Sequence, residues 1–320
     1  MNNGNQYSLY YNGILYVNPL IAILFFLALW KKSIILASFI LDVSMDEAGK
    51  TIRCVSFDIF RSLGIPDTLH VKPESVFQRM PDLKTVDWIL FPPYNLVNLM
   101  AYALRKQIFP SISTYHLGFD KIQLTRALMA RFPEQAPQTL ICSPDTTGRE
   151  QILDQMVFPF VMKAPRNSQG RGVSLIRNKR DFMDFADRQE ILYAQEYLDI
   201  RRDLRVVRVS NKTVLAYWRA GAEGQFLNNV AAGGTIDYSG IPDKAIDLVA
   251  EISRELDINY AGFDVAEVDG RFYVLEYNLF FGTQALNEKK IALAPVIYQY
   301  LLEQSQNRIK PTEPLLPLAM

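Results

Sequence analysis

Two short segments of this chain carry oxygen ligands at spacings that suit a metal ion. Gly262-Phe263-Asp264-Val265 precedes an Asp269-Gly270 turn signal, and Leu275-Glu276-Tyr277-Asn278 follows it. Glu276 and Asn278 are two apart on a strand, so they project to one face. Asp264 lies on the partner strand. Two carboxylates and an amide on one face would suit Mg²⁺, which takes one or two carboxylates plus substrate phosphates. Parity sets a condition. A two-residue loop at Asp269-Gly270 pairs Asp264 with Leu275 and turns it away from Glu276, whereas a three-residue loop with a glycine bulge restores a common face. An odd-length loop with Gly270 at positive φ is therefore expected. The bland alternative is a solvated strand face. The flanking Phe263, Val265, Leu275, Tyr277, Phe280 and Phe281 speak against it, because an unpaired charge among apolar groups is costly.

A second group of residues suits anions. Lys163 ends an apolar strand directly before Arg166-Asn167-Ser168-Gln169-Gly170-Arg171-Gly172. Gly170 and Gly172 would let backbone N–H groups approach phosphate oxygens without a Cβ in the way. The segment is neither a Walker A loop nor a dinucleotide fingerprint, and taken alone it is as readily a turn. Lys121 stands near the start of a helix, where a surface lysine is the ordinary reading. Gln195-Glu196-Tyr197-Leu198 runs into Asp199, Arg201, Arg202, Asp203 and Arg205. That run of alternating charge is either a solvated loop or the rim of an anionic site. Arg219 ends a strand, and Asn228-Asn229 precede Gly233-Gly234, a combination that can also be only a turn.

The elements that must position these groups change character along the chain. Before residue 115, apolar runs alternate with helical ones: helix at 51–63, strand at 86–91, helix at 96–107, strand at 108–112. This is an α/β pattern. A helix follows at 119–131. Strands are then expected at 160–164 and 173–176 around the glycine loop, a helix at 181–188, and strands at 191–198, 204–210 and 213–219. A helix at 241–256 and strands at 260–268 and 272–278 complete the pattern. The tail after 306, with three prolines, is expected to lack regular structure.

Composition excludes several classes. The chain has 320 residues, room for two domains, with 34 Lys+Arg against 34 Asp+Glu and 49% hydrophobic residues. Zero net charge and no basic stripe argue against a nucleic-acid partner. Two isolated cysteines, Cys54 and Cys142, fit a reducing compartment, and two histidines exclude a His-rich metal site. The N-terminus leaves two readings open. The first 30 residues carry no charge, and residues 14–30 are almost wholly apolar before Lys31-Lys32. They form either a membrane anchor of marginal length or a buried β-α-β start, with Asn18 as helix cap and Pro19 at the first helical position.

Taken in order, these motifs resemble the ATP-grasp superfamily, most closely the RimK-like ligases, from about Gly118 to Gly282. The resemblance implies an N-terminal α/β pre-ATP-grasp domain over 1–115. An ATP-grasp fold would follow, two α+β subdomains clamping ATP, at 116–195 and 196–306, with a tail at 307–320. Lys121 and Lys163 resemble the phosphate-binding lysines, and the segment with Gly170 and Gly172 the loop that closes over ATP. Gln195, Glu196, Tyr197 and Leu198 resemble the adenine-binding linker, with Glu196 and Asp203 facing adenine or ribose. Arg219 and Asn229 match the pair near the γ-phosphate. Asp264, Glu276 and Asn278 match ligands of two Mg²⁺ ions, with Mn²⁺ as a substitute. Two departures stand out: the family's Ser-Pro-Gly after Glu-x-Asn is here Leu279-Phe280-Phe281-Gly282, and Leu227 and Ala231-Ala232 replace basic residues around Asn229.

The implied activity is ATP-dependent joining of a carboxylate to an amine through an acyl phosphate, releasing ADP and phosphate. Arg219, Arg205 and Lys163 are the catalytic candidates, Arg205 as a two-armed grip on the substrate carboxylate. Small-molecule or peptide substrates, a cytoplasmic location and a homo-oligomer go with this reading. The alternatives are a membrane-associated enzyme acting on a peptide or lipid-linked amine, and a non-catalytic ATP-binding regulator.

Overall fold

The computed structural model describes residues 51–165, 172–221 and 235–309. The apolar segment 14–30, Gly170, Asn229 and the tail beyond 309 lie outside the described residues. The elements that follow belong to one compact unit within Ile52–Met320.

A parallel four-stranded sheet comes first. Its strands are β1 (Cys54–Ser56), β2 (Thr68–His70), β3 (Trp88–Leu90) and β4 (Gln107–Phe109), in the order β2-β1-β3-β4. Helices α1 (Ile59–Ser62), α2 (Met80–Thr85), α3 (Tyr94–Asn98) and α4 (Ile112–Leu117) join and flank them, with a π-helical turn at Leu99–Ala103 extending α3. The helix expected at 51–63 is instead strand β1 followed by the four-residue α1. Cys54, Val55 and Ser56 are all buried. A strand covered on both faces shows no alternation, so its apolar run mimics a helix. Asp58 then caps α1 through the amides of Phe60 and Arg61.

Helix α5 (Lys121–Arg131), capped by Asp120, leads into a second, antiparallel sheet. It contains β5 (Thr139–Cys142), β6 (Phe160–Lys163), β7 (Val173–Ile176) and β8 (Leu192–Glu196), with α6 (Thr146–Gln155) and α7 (Lys179–Ala186), in the order β5-β8-β6-β7. Lys163 pairs with Val173, so the glycine segment does join a hairpin. Ile152, Phe160, Met162, Phe182 and Leu192 form its core.

The third sheet is also antiparallel, in the order β11-β10-β9-β12-β13. Its strands are β9 (Arg202–Val209), β10 (Lys212–Ala220), β11 (Thr235–Asp237), β12 (Tyr260–Val268) and β13 (Arg271–Asn278), with α8 (Asp243–Glu255) between β11 and β12. Leu124 and Leu128 of α5 pack with Val206, Val249, Phe263 and Val265. Helices α9 (Gln284–Glu288) and α10 (Ala294–Ile309) follow, and α10 extends into the tail that was expected to be irregular. Among the described residues no helix is long and apolar enough to cross a membrane.

Candidate active site

Strands β9, β10, β12 and β13 present one charged face. Arg205 lies opposite Asp264, Asp203 opposite Arg219, and Tyr217 opposite Arg205. Residues two apart share a face, and the 199–205 run divides: Asp199, Arg201 and Arg202 are exposed, whereas Asp203 and Arg205 are buried inside the sheet. Asp264 and Glu276 are direct cross-strand partners. The device that aligns them differs from the expected one. The β12–β13 loop has two residues, Asp269 (φ 50°) and Gly270 (φ 74°), a geometry of type I′. Glycine is indeed at positive φ, but the odd residue is Leu275. It forms a bulge between Asp264↔Glu276 and Val265↔Val274.

The side chains form one connected network. Arg205 Nε donates to Asp264 Oδ1 at 2.5 Å and Nη2 to Oδ2 at 3.1 Å. Arg219 Nη2 reaches Asp264 Oδ1 at 2.9 Å, and its Nε donates to Asp203 Oδ1 at 2.7 Å. Asn278 Nδ2 lies 3.3 Å from Asp264 Oδ2 and 3.5 Å from Glu276 Oε1. Glu276 Oε2 lies 3.5 Å from Lys121 Nζ. Lys163 Nζ donates to Gln195 Oε1 at 2.6 Å. The main chain joins the two lysines: the Lys121 amide donates to Pro165 O at 3.1 Å, two residues past Lys163.

Electrostatics follow from burial and charge. Burial opposes ionisation of Asp264, but Arg205 and Arg219 outweigh it and hold the carboxyl below its usual range. Burial raises Asp203, and the neighbouring Asp264 charge adds to this against the pull of Arg219. Burial brings Lys163 down to about 8, with Glu276 opposing and Lys121 contributing. A lysine brought that low is close to losing its charge, and an anion placed beside it restores the charged form.

Several expected residues take positions their spacing did not reveal. In this structure the two-armed grip of Arg205, expected on a substrate carboxylate, is on Asp264. Asp203, expected at adenine or ribose, is on Arg219. Gln195 contributes its side chain: Oε1 holds Lys163, while Nε2 donates to Thr139 Oγ1 at 2.9 Å and Tyr193 Oη at 3.2 Å. The Glu196 carboxylate accepts from the Gln138 amide at 2.7 Å, and Tyr197 hydroxyl donates to Asp199 at 3.4 Å. Leu198 follows β8, and its carbonyl accepts from the Ile200 amide at 2.9 Å. Gly172 has φ 76° and its carbonyl accepts from the Ala164 amide at 2.7 Å. Tyr217 was not anticipated. Alternation on β10 from Arg219 would have found it.

The donor set is hard. No cluster of three or more His, Cys, Asp or Glu among the described residues could hold a metal. The set here is two carboxylates and the Asn278 amide, which fits an ion that completes its shell with phosphate oxygens and water. Four N–H groups already face Asp264, so a cation there would compete with one of them. Arg219 makes the single-armed contact.

The chain is similar to several known proteins. Over 201 residues the chain is 29% identical to a probable alpha-L-glutamate ligase of Enterobacter sp. (strain 638), covering 58% of this chain and 66% of that protein. Human N-acetylaspartylglutamate synthase A is 26% identical over 158 residues, covering 47% of this chain and 40% of that protein. The chain thus spans less than two thirds of the length of these relatives. Among solved structures, a RimK domain ATP-grasp protein from Sphaerobacter thermophilus DSM 20745 matches with TM-score 0.53 and 17% identity, covering 68% of this chain and 81% of that one. D-alanine–D-alanine ligase from Bacillus anthracis matches with TM-score 0.60 and 14% identity, covering 81% and 98%. These two likenesses bear on the fold. The description "RimK-like ATP-grasp domain" matches residues 119–301, more than half of the chain and the stretch that carries Lys121, Lys163, Arg219, Asp264, Glu276 and Asn278. By that match the chain belongs to the RimK-like ATP-grasp family.

Proposed function

We propose that this protein is an ATP-dependent carboxylate–amine ligase that works through an acyl phosphate. The observation that carries the reading is the convergence of Lys121, Arg205 and Arg219 on Asp264, Glu276 and Asn278. Cations that can take phosphate oxygens thus adjoin a hard oxygen donor set. The named functions of the relatives support it.

Lys121 and Lys163 bind the phosphates, and Gln195 aims Lys163. The 195–198 segment and the glycine segment with Gly170 and Gly172 bind the nucleotide, with Glu196 at its polar edge, and Asp203 orients Arg219. Asp264, Glu276 and Asn278 would hold Mg²⁺, or Mn²⁺ in its place, and the ion would supply charge neutralisation to the phosphates. Arg219, with Asn229, stabilises the phosphoryl group in transfer, giving up its share of Asp264 to the phosphate. A carboxylate oxygen attacks the γ-phosphorus and ADP leaves. The amine then attacks the acyl carbon, phosphate leaves with the C–O bonding pair, and the amine proton passes to solvent. The substrates are small molecules or peptides, and the compartment is the cytoplasm.

Incubation of the full chain with Mg²⁺-ATP, pooled carboxylic acids and hydroxylamine tests this reading. Acid-dependent ADP and hydroxamate are expected, and AMP as the nucleotide product would overturn it.

A further inference from the structure

The parallel sheet has a switch point. From β1 the chain passes to β2 on one side and then to β3 on the other. In open parallel sheets ligands bind outside the carboxyl ends of the strands at such a crevice. Asp58 and Arg61 follow β1 there, and Phe91 follows β3. Tyr260 meets Phe91 at 5.2 Å and Phe281 at 4.9 Å. The Arg61 guanidinium lies 4.8 Å from the Phe280 ring centre, and Phe280 is 53% exposed, so this edge opens to solvent. The charged network is close by. The space beside the Gly262 Cα is bounded by both Phe281 Cβ and Arg205 Cδ.

Asp58 Oδ1 accepts from the amides of Phe60 and Arg61, and Oδ2 accepts from Arg61 Nη1 at 2.5 Å. Arg61 Nε and the hydroxyl of Tyr115 are buried without a hydrogen-bond partner among the described residues. Both Asp58 and Arg61 act electrostatically on Tyr115. Buried donors of this kind call for an acceptor. Nε is one arm of the side-on fork that Arg205 uses to grip Asp264. On Arg61 that arm is unused.

We propose that Arg61 is a specificity-determining residue that grips a non-reacting carboxylate of a substrate, with Tyr115 as a supporting donor. A carboxylate offers about four acceptor sites and matches the guanidinium fork. The reacting carboxylate belongs beside Arg219 and the phosphates, so Arg61 serves a different one. It is either the second carboxylate of a diacid or the carboxylate of an amino acid that supplies the amine. The identification as a substrate site rests on the ligase reading; carboxylate binding by Arg61 does not.

The test is calorimetric titration of the full chain with succinate and, separately, L-glutamate, in wild type, Arg61→Ala, Arg61→Lys and Tyr115→Phe, with thermal melts as a check of folding. One probe is expected to bind wild type, with Kd rising about tenfold or more in Arg61→Ala as charge-assisted hydrogen bonds are lost. Arg61→Lys, which keeps the charge but not the fork, is expected to weaken binding less, and ATP affinity is expected to hold within about twofold. Succinate dependence assigns the acid side and glutamate dependence the amine side. Binding of neither probe to wild type, or equal binding by wild type and the folded variants, would overturn the proposal. Arg61-dependent binding with no ADP release from any acid–amine pair would instead overturn the ligase reading. ADP release with unchanged KM for both substrates in Arg61→Ala would overturn this proposal alone.

Discussion

Arg205 and Asp264 stand opposite each other on adjacent antiparallel strands and are locked side-on, Nε to Oδ1 at 2.5 Å and Nη2 to Oδ2 at 3.1 Å. Both side chains are buried, 7% and 8% exposed. The pair makes the proposed metal ligand also the counter-charge of two guanidiniums, so one residue serves stability and chemistry together.

Asp264→Asn therefore has two expected effects. Turnover is abolished, as it is in Glu276→Ala. Stability also falls by about 3–5 kcal/mol, because Arg205 is left buried without its partner. Urea unfolding would show this as a lower midpoint. The pH dependence has a fixed sign. The folded pKa of Asp264 lies below the unfolded value of about 3.9. The stabilisation is thus complete above that value and lost as pH falls through the folded one. An unchanged urea midpoint in Asp264→Asn would contradict the energetic role.

Lys163 makes a proton-linkage prediction. Its folded pKa of about 8 lies below the ordinary 10.5. Across that window the unfolded chain binds the extra proton, so stability gains as pH rises from 8 towards 10.5. Phosphates beside Lys163 favour its charged form. ATP binding at pH 8.5 is therefore expected to take up protons. Calorimetry in two buffers of different ionisation enthalpy measures this, and Lys163→Met should remove it. Buffer-independent heats in wild type would exclude Lys163 from the phosphate site.

Gly262 marks where the two neighbourhoods meet. A Cβ there would lie 2.9 Å from Phe281 Cβ, 3.0 Å from Arg205 Cδ and 3.1 Å from Arg205 Nη1. Gly262→Ala must move one of these groups, at an overpacking cost of about 1–3 kcal/mol. The expected outcome is a lower melting temperature together with reduced kcat, since Arg205 is pushed from its grip on Asp264. Wild-type kcat in a folded variant would show that the Arg205 position is not critical.

Much of this was legible in the chain. The strands at 173–176 and 260–268 carried period-two patterning or turn signals and appear with those bounds. The metal-type residues were legible because Glu276 and Asn278 are two apart on a strand. What escaped was decided by tertiary context. The three buried residues of β1 gave no alternation, and α6, with weakly amphipathic spacing, gave no clear face. The Leu275 bulge leaves no mark in composition, so the missing residue of register was assigned to the loop. The pairing of Asp203 and Arg205 with Arg219 and Asp264 depends on register between strands far apart in sequence. The Gln195–Lys163 bond required knowing that β8 neighbours β6.

In the proposed reaction a substrate carboxylate receives the phosphoryl group. Turnover of carboxylates labelled with ¹⁸O in both oxygens tests it most directly, with mass analysis of the released phosphate and nucleotide. One ¹⁸O is expected in each phosphate and none in the nucleotide, because the attacking oxygen stays on phosphorus when the amine displaces it. Label in AMP with unlabelled pyrophosphate, or phosphate released without label, would contradict it.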